Sequence, residues 1–211
     1  MLDAYLITLF GVMAAQASPG PNLVAVASVS LSQGRKKGLF VVSGVASGML
    51  IWSVATAYGL ATVLEVFPYS LTAMRLIGGG YLLWLALKGL RAVFQDAPGT
   101  INPSKSELTN LQAWMRGLLV LLTNPKAVMM WAAVATFLFG AGLTAEQVLL
   151  FGPLGAISGF VIYGAYAFLF STDLANRGYR KFSRWIELIF SASFGALGGK
   201  LVLDGIKELK Q

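Results

Sequence analysis

The chain has 211 residues, 56% of them hydrophobic and only 12% charged, with a mean hydropathy of +0.71. A soluble domain carries about 25% charged residues, so this composition excludes an ordinary globular surface and fits a chain dissolved in lipid. The net charge of +7 does not point to nucleic acid, because the basic residues are gathered in short stretches between apolar blocks.

Along the chain, Met1 to Ala17 ends in Ala15-Gln16-Ala17, which imitates a signal-peptide cleavage site. No Lys or Arg precedes the apolar run, and the hydrophobicity continues through Leu31, so an uncleaved first helix is expected. Apolar segments follow at residues 4–30, 39–64, 71–94, 117–139, 147–171 and 185–203, each near the roughly 20 residues that span hydrocarbon. Backbone in lipid must satisfy its own hydrogen bonds, and these segments are too long for barrel strands, so the fold class is all-α with six transmembrane helices.

Basic residues set the orientation. Arg35, Lys36 and Lys37 lie in the first connection, Lys88, Arg91, Lys105 and Arg116 around the third, and Arg177, Arg180, Lys181 and Arg184 in the fifth. The second and fourth connections hold none, which places connections one, three and five in the cytoplasm and both termini outside, with Lys207 and Lys210 weighing against the latter. The stretch from Gln95 to Leu111 carries Asp96, Pro98, Gly99, Asn102, Pro103, Ser104 and Ser106, a turn-forming composition. A single membrane domain over 1–211 is therefore expected to divide into a three-helix half at 1–94, a cytoplasmic loop at 95–116 and a second half at 117–211. Each half has an odd number of spans, so any repeat between them is inverted.

The chemistry concentrates at two helix breaks. Ser18, Pro19, Gly20, Pro21 and Asn22 sit inside segment one, where two prolines remove amide donors and stop the helix. Their counterpart is Thr123, Asn124, Pro125 and Lys126 inside segment four. Interrupted segments at corresponding places in two halves point to a transporter's substrate site, with half-helix N-termini facing a carboxylate and Asn22 and Asn124 both donating and accepting. Lys126 is the best-placed contact for a carboxylate or for gating. Arg75, Glu187 and Lys200, nearer segment ends, are coupling or gating candidates or interface residues.

Gly44 with Gly48, Gly155 with Gly159, Gly78-Gly79-Gly80, and Gly195, Gly198 and Gly199 are small residues that let helices approach. Close packing within one chain is their first expected use, and a homodimer interface the second. Trp52, Trp84, Trp114, Trp131 and Trp185 read as interface anchors or packing. The absence of His and Cys excludes thiolate catalysis, imidazole relays and zinc sites of the usual ligands. The sequence has no Walker loop or paired carboxylates, so neither cofactor nor metal is expected, and transport would run on an ion gradient or downhill.

These residues resemble the LysE/RhtB family of amino-acid exporters along essentially the whole chain. The resemblance rests on Ser-Pro-Gly-Pro-Asn at 18–22, Gln-Gly-Arg-Lys-Lys-Gly at 33–38, Gly44 with Gly48, Gly79-Gly80-Tyr81-Leu82 with Leu85 and Lys88, Arg116-Gly117-Leu118, and Asn124-Pro125-Lys126-Ala127. It implies a bacterial inner-membrane protein that exports amino acids or related metabolites in exchange for protons, with a small-molecule substrate and the bilayer as its partners. Gly159 stands where some members carry an acidic residue, and Ala135-Thr136-Phe137 lies near the place of a usual Pro-Gln-Phe. The rival readings are metal-cation efflux, an intramembrane enzyme using Ser18 with Lys126, and a non-transporting assembly subunit.

Overall fold

The computed structural model describes residues 2–60, 70–94 and 107–209, and every regular element among them is helical, as expected. In chain order these are α1 (Leu2–Ala17), α2 (Pro21–Val54), α3 (Ser70–Phe94), α4 (Asn110–Leu122), α5 (Pro125–Gly140), α6 (Ala145–Leu169) and α7 (Asp173–Glu208). A π-helical turn, Ala55–Leu60, continues α2. The loop residues Asp96 to Ser106, with Lys105, and the terminal Lys210 lie outside the described residues. So do the side chains of Arg177, Arg180, Lys181 and Glu187 in α7 and of Pro125 in α5.

The prolines break the apolar segments where the sequence places them. α1 stops at Ala17 and α2 opens on Pro21, while α4 stops at Leu122 and α5 opens on Pro125. Proline tolerates the first helical position because the amide it lacks has no partner there anyway. Two boundaries differ from expectation. α4 begins at Asn110, so residues 110–116 are helical rather than loop: the Thr109 hydroxyl accepts from the Gln112 amide (3.2 Å) and the Gln112 side chain accepts from the Thr109 amide (2.8 Å). This reciprocal cap starts a helix ahead of the apolar run. α7 likewise takes in residues 173–184, expected as the fifth connection.

The first connection is sharper than its composition implies. Gly34, at φ 79° and ψ 168°, interrupts α2 in a conformation that favours glycine. A Cβ built on Gly38 would lie 1.9 Å from the Ser30 hydroxyl, whereas eight residues along a straight helix are separated by about 12 Å. Limbs 21–33 and 35–54 therefore fold back as a hairpin, with Arg35, Lys36 and Lys37 at its tip.

Contacts gather the basic connections at one end. The Lys37 ammonium donates to Asn110 Oδ1 (2.7 Å), the Leu108 amide donates to Gln33 Oε1 (2.8 Å), and the Arg35 guanidinium lies 5.6 Å from the centre of the Phe168 ring. At the opposite end the Tyr5 hydroxyl donates to the Gln147 carbonyl, and Arg75 pairs with Glu208 beside Gly140. Both ends of the described chain lie on that side, away from the Gly34 turn.

Length and apolarity mark Pro21–Gly59, turned back on itself at Gly34, and Ala145–Leu169 as able to cross a bilayer, together with Asn110–Leu122 and Lys126–Gly140 taken as one span bent by 58°. Phe10, Ile77, Leu150, Ile157 and Val161 are exposed on the outer faces of these and neighbouring helices, a surface suited to acyl chains and not to water.

Backbone approach holds the bundle together. A Cβ on Gly117 of α4 would sit 1.9 Å from the Val41 carbonyl oxygen of α2, and one on Gly44 would sit 1.9 Å from that of Trp114. Gly79 of α3 and Gly198 of α7 face each other's carbonyls at 2.8 and 2.7 Å in the same sense. Met49 and Ser53 of α2 fill the spaces at Gly159 and Gly152 of α6. Gly44, Gly48, Gly79, Gly159 and Gly198 are thus used within the chain, as first expected, whereas Gly80 and Gly199 meet nothing within 4 Å. Trp131 is buried in the core, whereas Trp84 and Trp185 are exposed. Gly117→Ala should lower stability by about 1–3 kcal/mol, because a methyl there meets backbone that cannot swing aside. Gly80→Ala, which meets nothing within 4 Å, should leave the unfolding temperature in detergent near the wild-type value.

Candidate functional site

The break in the first segment leaves carbonyls without helical partners, and the structure supplies donors for them. Pro19 and Pro21 have no amide, so the chain after Ala17 cannot continue the ladder. The Tyr166 hydroxyl of α6 donates to the Ala17 carbonyl (2.7 Å). The Lys126 ammonium, projecting from the first turn of α5, donates to the Ser18 and Pro19 carbonyls (both 3.2 Å) and to the Ser18 hydroxyl. A cation at a helix C-terminus also meets the negative end of the helix dipole. The Phe194 ring centre lies 5.4 Å from the same ammonium.

The second break is joined to the first through its asparagine. Asn124 caps α5, its Oδ1 accepting from the Lys126 amide (3.0 Å), and its Nδ2 donates to Asn22 Oδ1 (3.2 Å). Asn22 Nδ2 donates in turn to the Tyr163 hydroxyl of α6 (3.2 Å). Both asparagines are buried, so these bonds form in a low-dielectric interior where an unmade one is costly. Gln16, 1% exposed, anchors the end of α1 to α6 by donating to the Gly155 carbonyl (2.9 Å) and accepting from the Ser158 hydroxyl (3.0 Å).

The sequence-derived residues divide accordingly. Ser18, Pro19, Gly20, Asn22, Asn124 and Lys126 come together, with Pro21 and Pro125 as the helix starts beside them. Thr123 departs from this group, being exposed, with its hydroxyl bonded back to the Leu119 carbonyl (2.7 Å). Arg75 is held by Glu208, which also accepts from the Thr72 hydroxyl (2.8 Å), and Lys200 is exposed on α7. Sequence reasoning missed Gln16, Tyr163, Tyr166, Phe194 and Asp204. Of these only Gln16, a lone amide in an apolar run, carried a local signal.

Two spaces adjoin the breaks. One of about 20 Å³, room for about one water, lies among Asn22, Asn124, Tyr163, Gln16 and Lys126. The other, about 460 Å³, is bounded by α1, α3, α5 and α7 and runs from Lys126 and Ala15 past Val134 to Arg75, Lys200 and Asp204. Lys126 borders both. The larger space has the size of a small-molecule site, and it extends toward the end opposite the basic connections.

Ser18 and Lys126 meet, which raises the enzyme reading. Lys126 reaches the two carbonyls of Ser18 and Pro19 as well as the Ser18 hydroxyl, so the contact caps the end of α1. Among the described residues no three acidic side chains gather into a metal-binding group.

The sequence matches the LysE type translocator family over residues 13–205. It is similar to the threonine efflux protein of Escherichia coli, 27% identical over 207 residues that cover 97% of this chain and 100% of the relative. The threonine efflux protein of Salmonella typhimurium is 26% identical over 188 residues, covering 89% of this chain and 91% of the relative. The leucine efflux protein of Klebsiella pneumoniae is 32% identical over 129 residues, covering 61% of this chain and 60% of the relative. No solved structure matches the chain. With the family match spanning both helix breaks and the helices around them, this chain belongs to the LysE type translocators and is a membrane transporter, not an enzyme.

Proposed function

We propose that the protein exports amino acids or closely related metabolites across the bacterial inner membrane as a proton-coupled secondary transporter. The observation that carries this reading is the meeting of two proline-broken helices around Lys126 at the inner end of a cavity of about 460 Å³. The names of the threonine and leucine efflux relatives supply the substrate class.

The Gly34 hairpin supports the proposed membrane arrangement. Six spans are formed by 2–33 with its break, 35–60, 70–94, 110–140 with its break, 145–169 and the body of α7, giving two inverted three-helix halves within one domain. The end bearing Arg35, Lys36 and Lys37 faces the cytoplasm and the termini lie outside. The cavity then faces outward, and the Asn22–Asn124–Tyr163 layer closes the cytoplasmic side. A reporter active only outside the cytoplasm, fused after residue 211, should be active, and the same reporter inserted within 95–106 should be silent.

Exchange at Lys126 supplies the binding step. Three oxygens accept from its ammonium, so an entering carboxylate must displace one or more of them. The carbonyls of Ser18 and Pro19 thus released accept the substrate ammonium, and a zwitterion replaces both sides of the contact. Lys126→Ala and Asn124→Ala, each at wild-type membrane levels, should reduce amino-acid export about 10- to 100-fold, the loss expected for a charge-assisted hydrogen bond in such a site. Export at the wild-type rate by both variants would remove these residues from the substrate site.

Proton coupling needs a titrating group, and at Gly159 Met49 and Gln16 already occupy the space a side chain would take. Asp204 lines the cavity and, among the described residues, has no ion-pair partner, which makes it the candidate coupling acid. Glu187, whose side chain lies outside the described residues, is the alternative on the same helix. Asp204→Asn should abolish the response of export to an imposed pH gradient while solute exchange at equal pH continues. An unchanged gradient response in proteoliposomes would exclude Asp204 from coupling. The metal-cation reading is disfavoured because, among the described lining residues, Lys126, Lys200 and Arg75 oppose the single carboxylate of Asp204.

A further inference from the structure

We infer that the 460 Å³ cavity selects uncharged amino acids with aliphatic side chains, of valine to leucine size, over hydroxylated and basic ones. The inference rests on the amino-acid export reading above and specifies the solute for the same site.

The argument comes from what the cavity offers beyond Lys126. Along α5, Lys126, Met130 and Val134 recur at four-residue spacing and form one stripe of the wall, with Ala133 beside them. Ala15 and Val12 of α1 and Phe194 of α7 complete the surface nearest the ammonium. A substrate carboxylate held by Lys126 therefore leaves its side chain against aliphatic and aromatic groups.

Farther out are two hydroxyls, and both have committed their protons. Thr8 Oγ1 donates to the Ala4 carbonyl of its own helix and Thr136 Oγ1 to that of Ala132 (2.7 and 2.8 Å). Besides these hydroxyls and Lys126, the side-chain donors among the described lining residues are Arg75 and Lys200. Arg75 is engaged by Glu208, and Lys200 lies six residues beyond Phe194 on α7, about 9 Å along the axis. A substrate hydroxyl near Lys126 thus enters an apolar wall without a further donor, while a basic side chain would meet three cations, Lys126, Lys200 and Arg75, against Asp204, the one carboxylate among the described lining residues. The first effect weakens threonine and the second excludes lysine.

Valine and threonine are nearly isosteric, so comparing them isolates polarity from volume. The test uses purified full-length protein in proteoliposomes and measures counterflow of radiolabelled valine, leucine, threonine and lysine. The expected result is a kcat/KM for valine about 10-fold or more above that for threonine, with leucine at least equal to valine and lysine below about one tenth of valine. Ala133→Phe, which fills the space beside Met130, should reduce leucine transport about 10-fold while alanine transport falls less than about 2-fold. Threonine or lysine moving as well as valine, or equal losses of leucine and alanine in Ala133→Phe, would overturn the selectivity while leaving amino-acid export in place. No flux of any of these amino acids would overturn both.

Discussion

The structure turns on the carbonyl oxygens left bare where α1 ends. Prolines at 19 and 21 remove the amides that would have continued the helix, and a bilayer interior offers no water to replace them. The rest of the fold is arranged to answer that deficit: Tyr166 reaches the Ala17 carbonyl, Lys126 reaches those of Ser18 and Pro19, and Gln16 ties the same end of α1 to α6. Elements from both halves of the chain thus converge on one broken helix. The proposed solute site lies where side chains stand in for the backbone partners that the prolines remove.

Reaching that point requires helices to approach closely, and glycine permits it. At the α2–α4 crossing, Gly44 and Gly117 each face a partner carbonyl where a methyl would not fit, and Gly79 and Gly198 do the same between α3 and α7. The first crossing positions the Asn124 break beneath α2, and the second brings Phe194 to Lys126 and Asp204 to the cavity mouth. Packing and chemistry are therefore one constraint. A side chain added at the crossings would separate the very groups that answer the bare carbonyls.

What the sequence reveals follows from the range of each cause. Proline acts on its own residue and the preceding turn, so both breaks and their asparagines were readable, as was the all-helical fold. The basic turn at 33–38 was legible, but its collapse onto Gly34 depends on one positive φ that composition does not announce. Thr109 and Gln112 carried the reciprocal cap in plain spacing, yet the apolar run beginning later drew the boundary to 117. Tyr163, Tyr166 and Asp204 could not be chosen in advance. Their roles depend on the rotation of α6 and α7 about their axes, which is set by contacts such as Met49 against Gly159, more than a hundred residues apart. Thr123 errs in the opposite way: adjacent in sequence to the buried Asn124, it is exposed, and its hydroxyl returns to its own helix.

The chemistry of the break also bears on why a zwitterion would suit the proposed site. An isolated anion drawn to Lys126 would leave the Ser18 and Pro19 carbonyls bare again, and an isolated cation drawn to those carbonyls would leave the ammonium without acceptors. Either exchange leaves an unpaired polar group in a low-dielectric site, at a cost of roughly 1–3 kcal/mol or more for a charged one. A solute carrying both charges a few ångströms apart restores every partner as it separates α1 from α5. Loading and loosening the contact between the two broken helices are then the same event, and in the proposed cycle only a solute with both groups moves the halves apart without an electrostatic penalty.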